Sequence, residues 1–303
     1  MKKEILFYWK VMQHGRAKGK VSTFDQKIKY ITRNILYYTW AKKISDFLQN
    51  HPYLCQEVYR YPVLCSKIHR PYMTYEFSIR KKVKSIIASY QYLDSFFQEE
   101  SLSRLYRDGQ IKILQITGKE GIILDAYLKL YSQYEKEGEF NLVLYWGEIL
   151  LATLTFSIVE ENLFIGGLQG LGREYTDPEI LKQVTKSFYG LFPKRLLMEI
   201  FYALFPEKKI AVGNTSHIYL AARYKHQEKR KIHADYDEFW QSLGAEERKE
   251  EALWCLPEKL IRKTMEEIPS KKRSQYRNRY AILDEIQTLV LEFLKHNKTK
   301  SRA

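Results

Sequence analysis

The sequence predicts an α/β protein of the α+β kind. A mixed sheet with an antiparallel meander sits at its centre, an N-terminal helical segment precedes it and a basic C-terminal helix closes it. Three observations carry this expectation. Residues 140–169 hold three β-branched and aromatic runs separated by Gly147-Glu148 and by Glu160-Glu161-Asn162, the spacing of a meander. Residues 24–50 and 77–97 repeat apolar side chains at helical spacing. Residues 271–294 do the same behind a run of Lys and Arg.

Taken in order, residues 1–23 carry six Lys or Arg with Gly15 and Gly19 and read as a mobile basic end, apart from a short apolar contact at 5–9. Residues 24–50 read as one helix with Ile28, Ile31, Ile35, Leu36, Ile44, Phe47 and Leu48 on one stripe, ended by His51-Pro52. Pro62 and Pro71 bend the connection to a second helix over 77–97. Residues 111–116 predict a strand and 121–134 a short helix. After the meander, Thr176 and Glu179 form a capping box around Pro178 and start a helix running to about Tyr189. A helix over 194–205, a strand over 209–213, a helix over 216–225 and a strand over 251–256 follow. The expected divisions are a basic N-terminus (1–23), a helical segment (24–108), an α/β core (109–265) and a basic helix and tail (266–303).

Composition narrows the function classes. With 45% hydrophobic and 15% aromatic residues in 303, the chain buries a full core, which excludes disorder of its body. No run of about 18 apolar residues predicts a spanning helix, and the start of the chain makes a poor signal peptide. Cys55, Cys65 and Cys255 form no CxxC pair, which predicts a reducing compartment, no disulfide framework and no metal site. The expected location is cytoplasmic, with peripheral contact at the inner membrane. Of the net charge of +14, residues 1–33 hold +7 and residues 271–303 hold +6. Basic ends suit an anionic membrane surface, an envelope lipid precursor or, less well, a nucleic acid; solvated tails are the plain alternative.

Five segments carry candidate chemistry. Gly166-Gly167-Leu-Gln169-Gly170-Leu-Gly172-Arg173 empties a strand into a glycine bend before a helix, where backbone amides can hold an anion. The alternative is a β-bulge that needs glycine for backbone reasons, and Glu174, Asp177 and Glu179 count against phosphate. Asn214, His217 and Tyr224 follow a strand, with His217 at a helix start where the dipole lowers its pKa and makes it a base; a cap and a structural His are the alternative. Glu137 and Glu139, two residues apart, form either an acid–base or amine-binding pair on one strand face or a turn before a solvated edge. Arg70-Pro71-Tyr72 reads as an anion clamp or as a lock to an acid such as Glu76 or Asp237. Lys186 and Lys194 are further anion-binding candidates. The Arg and Tyr residues interleaved over 271–280 suit phosphates, headgroups or water.

The order of strands, glycine bend and helix resembles the acyl-CoA-binding core of the GNAT N-acetyltransferase superfamily. That resemblance implies pyrophosphate contacts at Gln169, Gly170, Gly172 and Arg173, with Glu174 departing from the small residue of the pattern. It further implies Tyr224 as acid toward a leaving thiolate, His217 as base, Asn214 as orienter, and acyl-CoA or acyl carrier protein as co-substrate with no tightly bound cofactor. A second resemblance covers about residues 50–285. His51-Pro52, Arg70-Pro71-Tyr72, Glu137-Gly138-Glu139, Ile165-Gly-Gly-Leu-Gln-Gly170, Thr185-Lys186, Pro193-Lys194, Asn214, His217, Asp235-Tyr236-Asp237 and Lys271-Lys272-Arg273 are similar to the VirK/YbjX family of bacterial proteins. It implies a link to virulence, envelope stress and antimicrobial-peptide resistance, and names no reaction. Two functions follow as expectations: an acyltransferase acting on an envelope component, or a non-enzymatic peripheral membrane protein that adjusts envelope assembly.

Overall fold

The computed structural model describes residues 2–14, 23–131, 133–172, 178–221 and 235–299. An N-terminal group of helices comprises α1 (Lys2–His14), α2 (Phe24–Leu36), α3 (Tyr38–Asn50), α4 (Leu54–Arg60) and α5 (Val63–Ser66), closed by a 3-10 turn at Lys67–His69. Then come α6 (Ile79–Phe96), α7 (Glu99–Asp108), β1 (Gln110–Thr117), β2 (Ile123–Lys129), β3 (Phe140–Trp146), β4 (Ile149–Val159) and β5 (Asn162–Gln169). The last part holds α8 (Pro178–Ser187), α9 (Pro193–Leu204), β6 (Lys209–Val212), α10 (Tyr236–Ser242), β7 (Glu246–Arg248), β8 (Leu253–Cys255) and α11 (Arg273–Asn297).

The strands form one sheet in the order β1-β2-β3-β4-β5-β6-β8-β7. Every neighbouring pair is antiparallel except β5 and β6, which run parallel with Ile165 opposite Ala211. The expected meander is present: β3 and β4 match residue for residue, and β5 starts one residue early. Its strands bury both faces, so they read as continuous apolar runs rather than as alternation. α6 and α9 cover β4: Ser89 accepts from the Ile158 amide (2.8 Å), and Phe156 packs between Phe201 and Phe205 (4.9 and 5.3 Å). α11 lies along α9 and β1, burying Leu283, Ile286, Val290 and Phe293 as its spacing predicts.

The departures have local causes. Residues 2–14 are helical rather than mobile, because Phe7, Tyr8, Val11 and Met12 find partners in the core. The helix expected over 24–50 breaks at Tyr37, and Ile28, Ile35 and Leu36 of its stripe point to solvent. Its start is capped by Thr23 and Gln26, each bonded to the other's backbone amide. Residues 123–129 form β2, not a helix: Leu124, Ala126 and Leu128 are buried at a period of two. α7 and β7 were not expected, although Glu99 and Glu100 in a first turn and Gly109 at φ 69° mark a helix start and stop. Within 216–221 the chain makes only a 3-10 turn at Ile218–Leu220, and the rest of the expected 216–225 helix lies outside the described residues. So does Thr176, although α8 begins at Pro178 as expected. Among the described residues no helix is long and apolar enough to cross a membrane.

Candidate functional site

The site is built where two parallel strands end together, the position at which open α/β sheets collect their ligands. β5 delivers Gln169 and Gly170; β6 delivers Gly213, Asn214 and, three residues on, His217. A third segment, 136–138, is laid across them. Met73 donates its amide to the Lys136 carbonyl (2.7 Å), and Thr74 bridges to His217. Gly166 and Gly167 make this crossing possible. Gly166 is the extra residue of a β-bulge opposite Thr155 and Phe156, and a Cβ there would stand 1.9 Å from the Glu137 carbonyl oxygen. A Cβ on Gly167 would stand 1.7 Å from Glu137 Oε2. The glycine pair is therefore the slot for Glu137, and the bulge alternative describes it; no phosphate cradle is open there.

Glu137 is 1% exposed. Its two oxygens share one donor, Gln169 Nε2 (3.2 and 3.3 Å), and the same nitrogen donates to the Tyr236 hydroxyl (2.9 Å). Burial, barely offset by Gln169, pushes the carboxyl up to about 8. His217, also 1% exposed, stacks on the Tyr236 ring (5.4 Å) and holds Nε2 at 3.8 Å from Glu137 Oε1, beyond hydrogen-bond reach. Burial lowers its pKa to about 4, so desolvation rather than a helix dipole acts on it. Its Nδ1 accepts from the Tyr219 amide (3.3 Å), which assigns the single proton of the neutral ring to Nε2. His217 is thus a buried N–H donor facing Glu137 with no partner in range among the described residues, and in that tautomer Nε2 offers a proton. At neutral pH Glu137 and His217 are both uncharged.

Tyr236 completes the cluster and was missed as a site residue, though Asp235-Tyr236-Asp237 stood out in the sequence. Its oxygen accepts from Gln169 and from the Leu168 amide (3.4 Å), which leaves its own hydrogen to donate. Burial beside Glu137 holds its pKa well above the ordinary value of 10. Asn214 fixes this residue. Its Oδ1 accepts from the Tyr236 amide (3.0 Å), its Nδ2 donates to Asp235 (3.0 Å), and its own amide donates to Asp237 (2.9 Å), which also takes the Trp254 indole N–H (2.7 Å). The half-exposed rim is Gly170–Gly172 with Lys194, whose Cε would stand 3.3 Å from a Cβ at Gly170. Lys194 lies in the first turn of α9, where Phe192 makes no side-chain cap bond; burial lowers its pKa.

The other expected site residues separate from this cluster. Glu139 does not pair with Glu137 and is not on a solvated edge. It takes Lys67 Nζ (2.8 Å), the Tyr72 hydroxyl and the Tyr90 hydroxyl (2.8 Å), and its amide donates to Ser157 (2.9 Å). This brace ties the N-terminal helices to β4, and it takes the buried Tyr72 out of any anion clamp. Arg70 offers its carbonyl to Lys82 Nζ (2.6 Å). Lys186 faces Glu120 at the surface (3.7 Å). Arg173 and Tyr224 lie outside the described residues. Among those described, no group of His, Cys, Asp and Glu can hold a metal ion.

The chain is similar to the uncharacterized protein YbjX of Escherichia coli (strain K12), with 35% identity over 86% of this chain and 80% of that protein. It is similar to an uncharacterized protein of Haemophilus influenzae at 26% identity over 92% and 94% of the two chains. The membrane protein LapB of Mannheimia haemolytica shares 28% identity over 61% of this chain and 80% of its own length. No solved structure matches. Residues 19–292 match the family model described as Protein of unknown function (DUF535), and the chain belongs to that family.

Proposed function

We propose that this protein transfers an acyl group from a thioester, acyl-CoA or acyl carrier protein, to an amine or hydroxyl of an envelope component. One observation carries the reading: a carboxyl held near pKa 8 beside an unpartnered His217 N–H, at the joined ends of two parallel strands. A carboxylate of that basicity is matched to proton removal near neutral pH. Glu137 takes the proton from the acceptor as its heteroatom attacks the acyl carbon. His217 Nε2–H faces the carboxylate and favours its ionised, proton-accepting form. Tyr236 gives its hydroxyl proton to the departing sulfur, and Asn214 holds Tyr236 in place. The products are the acylated acceptor and a free thiol. The thioester supplies an activated acyl group. Of the glycine bend, only Gly170–Gly172, with Lys194 in the first turn of α9, fits the donor's phosphate end, since Glu137 fills Gly166 and Gly167.

Thermal unfolding with acetyl-CoA, a long-chain acyl-CoA and acyl carrier protein tests the reading. A donor at ~100 times its dissociation constant adds about 2.7 kcal/mol to the folded state. Gly172→Asp removes that shift, while Glu137→Gln keeps the shift and abolishes thiol release. The rate rises with pH through about 8, because the carboxylate is the active form. No shift with any donor overturns the acyl-transfer reading. The weight then passes to the non-catalytic peripheral protein, which the basic chain ends and the likeness to a named membrane protein support.

A further inference from the structure

The apolar stripe of α2 faces away from the core. Phe24, Ile28 and Ile35, at spacings of four and seven, fall on one helical face with half-buried Ile31 between them. They are 75%, 49% and 48% exposed, while α2 seats on the molecule through a different face, with Tyr30 and Asn34. α1 lies beside it. It packs on α2 through Tyr8 and Tyr30 (ring centroids 6.0 Å) and turns Lys2, Leu6, Trp9 and Gln13 outward on one face. Leu6 is 52% exposed and Trp9 47%. α2 thus shows water an apolar face that a surface helix ordinarily buries, and α1, whose own apolar face is buried through Phe7, Tyr8, Val11 and Met12, adds Leu6 and Trp9 beside it.

We infer that this face docks on an anionic lipid bilayer. Charge selects that occupant. Residues 1–33 hold nine Lys or Arg against two acids, half of the excess of the whole chain. Lys2, Lys3 and Lys29 are exposed on the same two helices as the apolar residues. Exposed apolar side chains, a Trp and Lys on one pair of surface helices suit the headgroup region of an acidic leaflet. The other basic end is not equivalent, because the apolar side of α11 is buried against α9 and β1. The inference identifies a surface and is independent of whether Glu137 does chemistry.

The test is flotation of the full chain with vesicles of phosphatidylcholine alone and with one quarter phosphatidylglycerol. The expected result is binding to the anionic vesicles, at least tenfold weaker to the neutral ones and weakened by salt. Ile28→Asp with Ile35→Asp lowers binding at least tenfold, and the tryptophan emission of a chain keeping Trp9, compared with Trp9→Phe, shifts to the blue on binding only when Ile28 and Ile35 are intact. Both positions are exposed, so the melting temperature stays unchanged. Lys271→Glu with Lys272→Glu leaves binding within a factor of two. Vesicle binding that survives the α2 changes but is lost with the α11 changes overturns the inference. So does a dimer in sedimentation that the α2 changes dissociate, since a second copy then covers the face.

Discussion

Replacing Glu137 by Gln should stabilise the protein, and by an amount that grows with pH. The folded state holds the Glu137 proton up to about 8, while the unfolded chain releases it near the usual 4.5. Between those values the folded state binds more protons, so this group's contribution is complete below 4.5 and is lost as pH rises through 8. The interval of 3.5 pH units, at about 1.4 kcal/mol each, amounts to about 5 kcal/mol. Gln keeps the acceptor for Gln169 and carries no charge to bury. The variant should therefore gain about 3 kcal/mol over the native chain at pH 7, about 5 kcal/mol above pH 8 and almost nothing near pH 4.5.

Urea unfolding of both proteins at several values from pH 4.5 to 9 measures the difference. His217 and His69, both lowered to about 4 by burial, act with the opposite sign: their contribution is lost as pH falls from 6.5 toward 4. His69 is present in both proteins and cancels in the difference, and His217, 3.8 Å from Glu137, titrates below pH 6.5, so the rise from pH 6.5 to 9 reads Glu137 alone. A difference that stays flat across this range would refute the reasoning, because it would mean that the carboxyl is either solvated or ionised throughout. A constant offset with the right slope would not, since the slope depends on the proton alone and the offset on how the new amide hydrogens are met.

Three further outcomes follow from the same geometry. Gly166→Ala and Gly167→Ala should each cost about 1–3 kcal/mol or more by overpacking, but adding Glu137→Ala should relieve only Gly167→Ala, because the Gly166 clash is with backbone; equal relief in a double-mutant cycle would discard the slot. Lys67→Met should cost about 3–5 kcal/mol by leaving Glu139 unpaired, and Lys67→Met with Glu139→Gln should cost less than Lys67→Met alone, as read by denaturant unfolding. Tyr236→Phe should lower thiol release while leaving the donor-induced thermal shift intact; an unchanged rate would remove Tyr236 as the acid.

The meander was legible because strand and turn signals are local: Phe140–Trp146 and Ile149–Val159 are bounded by Gly147-Glu148 and Glu160-Glu161. α11 was legible for the same reason, its core face being written at helical spacing. β2 was not, because its outward positions Tyr127 and Lys129 suit a helix equally well and pairing with β1 and β3 decides. The stripe of α2 was legible as a stripe but its direction was not, since amphipathicity does not say which neighbour covers it. At the site, Glu137, Gln169, Asn214 and His217 were named from three separate motifs, and folding brings them together. Their roles were not legible. The His217 tautomer is set by the Tyr219 amide, and the need for two glycines is set by the backbone carbonyl and the carboxylate of a residue nearly thirty positions away.

Glu137 and Glu139 sharpen the case that the site is chemical. They sit two residues apart and are equally buried, yet Glu139 is met by an ammonium and two phenols while Glu137 is met by one amide hydrogen and a distant imidazole. The first arrangement satisfies a charge; the second refuses one, and does so in a slot that costs two glycines in a central strand. Shape and hydrogen bonding at Glu137 would be served as well by Gln, at a gain of about 3 kcal/mol at neutral pH. What Gln lacks is a proton that leaves near pH 8. A position that carries a removable proton at a standing cost in stability has the signature of a group whose ionisation is used.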